Sequence, residues 1–79
     1  MIKVFIDGQA GTTGLQLKDK LIRHPFVELV EIDNDKRKDV NERQKLMNSS
    51  DVVFLCLPDA AAIEAVKLVT NPDTVVIDA

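Results

Sequence analysis

A single cysteine, Cys56, stands among the 79 residues, so no disulfide can form within the chain. That agrees with a reducing compartment, and a cytoplasmic location is the expectation. Histidine is equally scarce: His24 is the only one, which leaves little with which to activate a nucleophile. No apolar run approaches the roughly 20 residues that cross a bilayer. The opening Met-Ile-Lys-Val-Phe-Ile reads as a strand, because a signal peptide has a basic head and a longer apolar core. Positive charge is in the minority, ten Lys and Arg against thirteen Asp and Glu, and the net charge of −3 argues against a nucleic-acid surface. A chain this short forms one small domain at most. It buries only about 60–65% of its unfolded surface, so its stability is marginal without partners.

Four short apolar runs punctuate the chain, at residues 2–6, 27–32, 52–57 and 75–77. The third, Val52-Val53-Phe54-Leu55-Cys56-Leu57, is apolar throughout, as suits a parallel strand covered on both faces. The second carries Glu28 and Glu31 and fits a sheet edge. Helical spacing fills the gaps. Gly14, Leu17, Leu21 and Ile22 gather on one side of residues 13–23, with Lys18 at the rim, before His24-Pro25 stops the helix. Residues 39–48 read as a weaker helix on Val40, Leu46 and Met47. Ala62, Val66 and Val69 repeat over residues 60–69, with Asp59 as the expected cap. Asn71-Pro72-Asp73 is a turn signal. The resulting β-α-β-α-β-α-β order predicts an α/β, Rossmann-like three-layer fold with a four-stranded parallel sheet in the order 2-1-3-4. The last strand has no helix after it, and a bare parallel edge is an aggregation liability. The 79 residues are therefore expected to be a fragment, or the ordered part, of something longer.

All three glycines fall in one segment, Asp7-Gly8-Gln9-Ala10-Gly11-Thr12-Thr13-Gly14, between the first strand and the first helix. A tight strand-to-helix turn needs unusual backbone angles, which Gly8 supplies. A phosphate approaching the backbone needs a position without a side chain, at Gly11, and close helix–strand packing needs a third small residue, at Gly14. The helix N-terminus adds free N–H groups and partial positive charge, and Thr12 and Thr13 add hydroxyl donors. A P-loop is excluded, since Thr13 and Gly14 stand where G-x-x-x-x-G-K requires glycine and lysine. The competing reading is a glycine-rich turn that serves packing only.

Asp33 lies at the end of the second strand, where an acidic residue holds the ribose 2′-hydroxyl of NAD. Arg37 and Lys38 follow and could instead cradle the 2′-phosphate of NADP. The two readings conflict, because a carboxylate beside a phosphate is repulsive unless it points away or pairs with Arg37. A solvated polar loop is the third possibility. Cys56 reads as a buried structural thiol, His24 as a surface residue at a helix end, and Asp59 as a cap in preference to a catalytic acid.

The stretch Phe5-Ile6-Asp7-Gly8-Gln9-Ala10-Gly11-Thr12-Thr13-Gly14-Leu15 closely resembles the N-terminus of N-acetyl-gamma-glutamyl-phosphate reductases, in particular their shorter branch. Arg37-Lys38-Asp39, Leu55-Cys56-Leu57-Pro58-Asp59 and Val76-Ile77-Asp78-Ala79 agree in order, so the resemblance spans nearly the whole chain. It implies an arginine-biosynthesis enzyme of semialdehyde-dehydrogenase-like build. Such an enzyme reduces N-acetyl-glutamyl 5-phosphate to the 5-semialdehyde with NADPH, through a thioester on a catalytic cysteine that a histidine assists. Neither of those residues is in this chain, so the chain alone is expected to be inactive. The resemblance further implies that Gly8, Gly11, Thr12, Thr13 and Gly14 meet the cofactor phosphates, and that Leu57 and Pro58 touch the ribose or nicotinamide side. A small acyl-phosphate substrate, homo-oligomerisation at full length, and no membrane or nucleic-acid partner complete the expectation. Asp33 departs from an NADP preference. Another semialdehyde dehydrogenase, a short-chain reductase and a non-catalytic nucleotide- or protein-binding α/β module remain alternatives, since this architecture hosts many functions.

Overall fold

The computed structural model describes residues 1–8 and 12–78. Four strands, β1 (Ile2–Asp7), β2 (Val27–Val30), β3 (Val52–Leu55) and β4 (Val75–Asp78), form one all-parallel sheet in the order β2-β1-β3-β4. Helices α1 (Thr12–Leu21), α2 (Val40–Asn48) and α3 (Asp59–Val66) connect them, and a 3-10 turn, Asn34–Lys36, precedes α2. This is the expected α/β, Rossmann-like arrangement.

Parallel register fixes which side chains share a face. Phe5 lies level with Val30 and Val53, and Asp7 with Leu55, which lies level with Asp78. Phe5, Val53 and Leu55 form the core on that face with Met47 of α2 and Ala62 and Ala65 of α3. The alternate residues Val4 and Ile6 are buried on the other face, where α1 packs on β1 and β2. Central strands carry most of the burial. At the β4 edge Val75 is 55% and Ile77 40% exposed, so the outermost strand gains little from this chain.

Several boundaries differ from the sequence expectation, each for a physical reason. Strand pairing ends at Leu55, so Cys56 and Leu57 lie past β3: apolarity continues there because Leu57 packs against the core, while the hydrogen-bonded ladder has finished. β2 likewise stops at Val30, although Ile32 is buried beyond it. Asp59 is not a cap. It is the first residue of α3, and Pro58 holds the N-cap position at φ −58° without a side-chain hydrogen bond. The capping role falls to Asp39, whose Oδ1 accepts from the backbone of Asn41 at 3.0 Å and of Glu42 at 3.3 Å. Ile22 lies beyond α1 and is 64% exposed, so it does not share the inner face with the buried Gly14. Lys18 is at the rim as expected, paired with Glu31 at 2.6 Å.

Candidate cofactor-binding site

The first strand ends in a charged residue that is not solvated. Asp7 is 5% exposed and faces α2, and the next residue, Gly8, turns with φ +88°. That angle is strained for any residue with a side chain. Gly8 is also required by space, because a Cβ there would run into the carbonyl group of Cys56 and meet Leu57 Cδ2 at 3.0 Å. The Cys56 N–H donates to the Asp7 carbonyl at 2.9 Å, tying the ends of β1 and β3 together at the turn.

A cleft of about 490 Å³ opens beside this junction, at the carboxyl ends of the strands, where open α/β sheets carry their ligands. Gly8, Arg37, Lys38, Arg43 and Leu57 line it, with Ala61 and Glu64 of α3 opposite. The site thus lies between the segments that follow β2 and β3, on either side of β1, where the connections change direction across the sheet.

The structure brings Gly8, Arg37 and Leu57 to one cleft, and of the other expected residues Thr12, Thr13, Gly14, Asp33 and Pro58 are not among its described lining. Thr12 and Thr13 are exposed in the first turn of α1, where backbone N–H groups have no intrahelical acceptor. Gly14 is buried in the same helix. Asp33 is exposed, in extended backbone before the 3-10 turn, and makes no side-chain capping bond. Pro58 is exposed at the start of α3. Gly11 lies outside the described residues.

The expectation did not include the pairing of Asp7 with Arg43. The Arg43 Nη2 donates to Asp7 Oδ2 at 2.6 Å, with side-chain exposures of 18% and 7%. The Arg43 Nε is buried without an acceptor among the described residues. One signal was available in the sequence, a carboxylate closing an otherwise apolar strand, but its partner 36 positions on was not marked.

Cys56 is half-buried. Desolvation raises its thiol pKa above the ordinary value, and the negative charges of Asp7 and Asp78 raise it further. His24 sits between α1 and β2, at the opposite end of the sheet, where its Nδ1 accepts from the Phe26 backbone at 3.3 Å. The thiol therefore has no histidine beside it among the described residues, and it is half-buried past the end of β3 where the sequence placed it buried inside the strand. No described group of His, Cys, Asp or Glu is arranged to hold a metal ion. No helix among the described residues is long and apolar enough to cross a membrane.

The chain is 56% identical over 77 residues to N-acetyl-gamma-glutamyl-phosphate reductase 2 of Nostoc sp., a match covering 98% of this chain and 24% of that protein. The N-acetyl-gamma-glutamyl-phosphate reductase of Mesorhizobium japonicum is 47% identical, covering 98% of the chain and 25% of the relative. That of Burkholderia ambifaria is 49% identical over 76 residues, covering 96% and 24%. Over its own length, the chain is a homologue of the N-acetyl-gamma-glutamyl-phosphate reductases. It spans about a quarter of the length of the curated relatives it matches. No family profile and no solved structure matches it.

Proposed function

We propose that residues 1–79 are the N-terminal, dinucleotide-binding part of an N-acetyl-gamma-glutamyl-phosphate reductase whose catalytic domain lies outside this chain. The parent enzyme would reduce N-acetyl-glutamyl 5-phosphate, a small acyl phosphate, to the 5-semialdehyde in arginine biosynthesis. It would do so in the cytoplasm and as a homo-oligomer. The observation that carries the reading is Gly8. Its positive φ and its contact with the Cys56 carbonyl group put a turn that only glycine fits at a strand–helix junction, beside a cleft lined by two exposed cations, Arg37 and Lys38. The high identity to proteins of that name supports the enzyme assignment.

The residues present fit a nicotinamide dinucleotide. Gly8, Gly11 and the first turn of α1 at Thr12, Thr13 and Gly14 are the proposed seat of the diphosphate, with backbone N–H groups as donors. NADP is the proposed cofactor, because Arg37 and Lys38 line the cleft while Asp33 does not, so the cations can meet a 2′-phosphate without the Asp33 carboxylate beside it. Leu57 supplies an apolar wall for the nucleoside, and Pro58 stands at the same strand end. When bound, the nicotinamide supplies the hydride. This chain's own residues orient the cofactor and hold its charge. The only cysteine here has a raised pKa and no histidine beside it among the described residues, so the acyl-transfer nucleophile is assigned to the remainder of the polypeptide.

The test is a titration of the full-length polypeptide with NADPH and NADH, followed by nucleotide fluorescence, together with the reductase assay run in reverse on the semialdehyde. Tighter binding of NADPH and phosphate-dependent NADP reduction are expected. Absence of binding by either nucleotide would remove the proposal.

A further inference from the structure

The carboxylate one residue ahead of Gly8 is an obstacle to the function just proposed. Asp7 is buried, lines the same cleft as Gly8, and so faces any anion drawn to the turn. A unit charge at several ångströms in a poorly solvated cleft weakens anion binding by about tenfold or more. Its field is felt across the strand ends, where it helps to hold the Cys56 thiol protonated.

The countercharge comes from α2. Arg43 reaches back to β1 and places Nη2 2.6 Å from Asp7 Oδ2, the only ion pair of Asp7 among the described residues. The pairing is not one that stability alone would favour. A buried ion pair repays its desolvation only when its remaining hydrogen bonds are met, and Arg43 Nε is buried with no acceptor among the described residues. Arg37 and Lys38 are exposed in the same cleft, and Glu64 stands across from them with Lys67 at 3.3 Å. Those groups sit on the rim, whereas Arg43 neutralises the charge adjoining the glycine turn.

We propose that Arg43 is a charge compensator that lets the Asp7-Gly8 junction accept an anionic dinucleotide diphosphate. The inference rests on the nucleotide reading above. It assigns Arg43 to the binding site through its effect on Asp7, and not through a contact with phosphate.

The experiment titrates NADPH against the full-length wild type, Arg43→Gln and the double variant Asp7→Asn with Arg43→Gln, at low and high salt, with thermal melts as a folding control. Arg43→Gln is expected to bind about tenfold more weakly, with a larger loss at low salt, because the charge of Asp7 facing the cleft is then uncompensated. Adding Asp7→Asn is expected to return the affinity to within about twofold of wild type, since the charge that needed cancelling has gone. A double variant that binds as weakly as Arg43→Gln would overturn the proposal and point to direct contact. So would unchanged binding by Arg43→Gln. If Arg43→Gln does not fold, Asp7→Asn alone decides: it leaves an unopposed cation, and NADPH should bind several-fold more tightly, whereas an unaltered affinity refutes the inference. Failure of the wild type to bind either nicotinamide nucleotide is a different result, which removes the cofactor reading itself.

Discussion

Gly8 and Cys56 are joined at a point where neither backbone has room to move: the Cys56 carbonyl group occupies the space that any side chain at position 8 would need. The Cys56 N–H meanwhile donates to the carbonyl of Asp7, so the two strand ends are fixed on both sides of that contact. The turn that starts the proposed phosphate seat is therefore set by β3 as much as by its own sequence.

Gly8→Ala is accordingly expected to destabilise the fold by at least about 2 kcal/mol, from a φ of +88° that alanine resists and a backbone contact that cannot be relieved by a rotamer. Urea unfolding of the full-length protein measures this. A midpoint within error of wild type would mean that the turn relaxes and that glycine is not demanded there.

Asn48 is expected to be the most sensitive polar residue on the other side of the molecule. Its Nδ2 donates to the carbonyls of Gln44 and Leu68, both at 3.0 Å, and its Oδ1 accepts from the backbone of Thr70 at 2.8 Å and Asn71 at 2.9 Å. One side chain thus holds the end of α2 to the segment that feeds β4. Asn48→Ala leaves those backbone groups to find new partners and should cost about 2 kcal/mol, with faster amide exchange at Thr70 and Asn71. Unchanged exchange at those two amides would show that the clamp is dispensable.

The architecture was legible because apolar runs and helical spacing report burial, and burial sets the strands and helices. The ends of elements were less so, for the same reason. Leu57 and Ile32 are packed against the core although neither belongs to a strand, so apolarity overran the hydrogen-bonded ladder at both places. Asp59 and Asp39 have the same capping chemistry, and only the backbone decides between them: Pro58 already occupies the cap of α3, while Asp39 is free to turn its carboxylate onto α2. In the site, Gly8 was readable because a turn is a local property. The Asp7–Arg43 pair was not, because it joins elements 36 residues apart and depends on how α2 lies across β1.

Cys56 is expected to react slowly and late in a pH titration. Burial first, then Asp7 and Asp78, raise its pKa in the folded state, so the folded protein favours the neutral thiol. The sign follows: this contribution to stability is fully present below the ordinary thiol pKa of about 8.5 and is lost as pH rises through that value towards the folded one. Alkylation by iodoacetamide should therefore still be accelerating above pH 9, and Cys56→Ala should remove part of the alkaline loss of stability. A rate that has levelled off by pH 8.5 would contradict the raised pKa.

Cofactor choice separates Arg37 from Asp33. Arg37 lines the cleft, and Asp33 lies outside its lining although four residues earlier in the same connection. Arg37→Ala should weaken NADPH by about tenfold, as expected for loss of one charge-assisted contact to a phosphate, while changing NADH by less than about threefold. Asp33→Ala should leave the ratio of the two affinities within about twofold, since a carboxylate outside the cleft neither repels a 2′-phosphate nor holds a 2′-hydroxyl. Paired titrations of the two variants with both nucleotides decide the matter. If Asp33→Ala shifts preference towards NADPH, its side chain turns into the cleft when nucleotide is bound. The competition between carboxylate and cation would then set the preference, and not Arg37 alone.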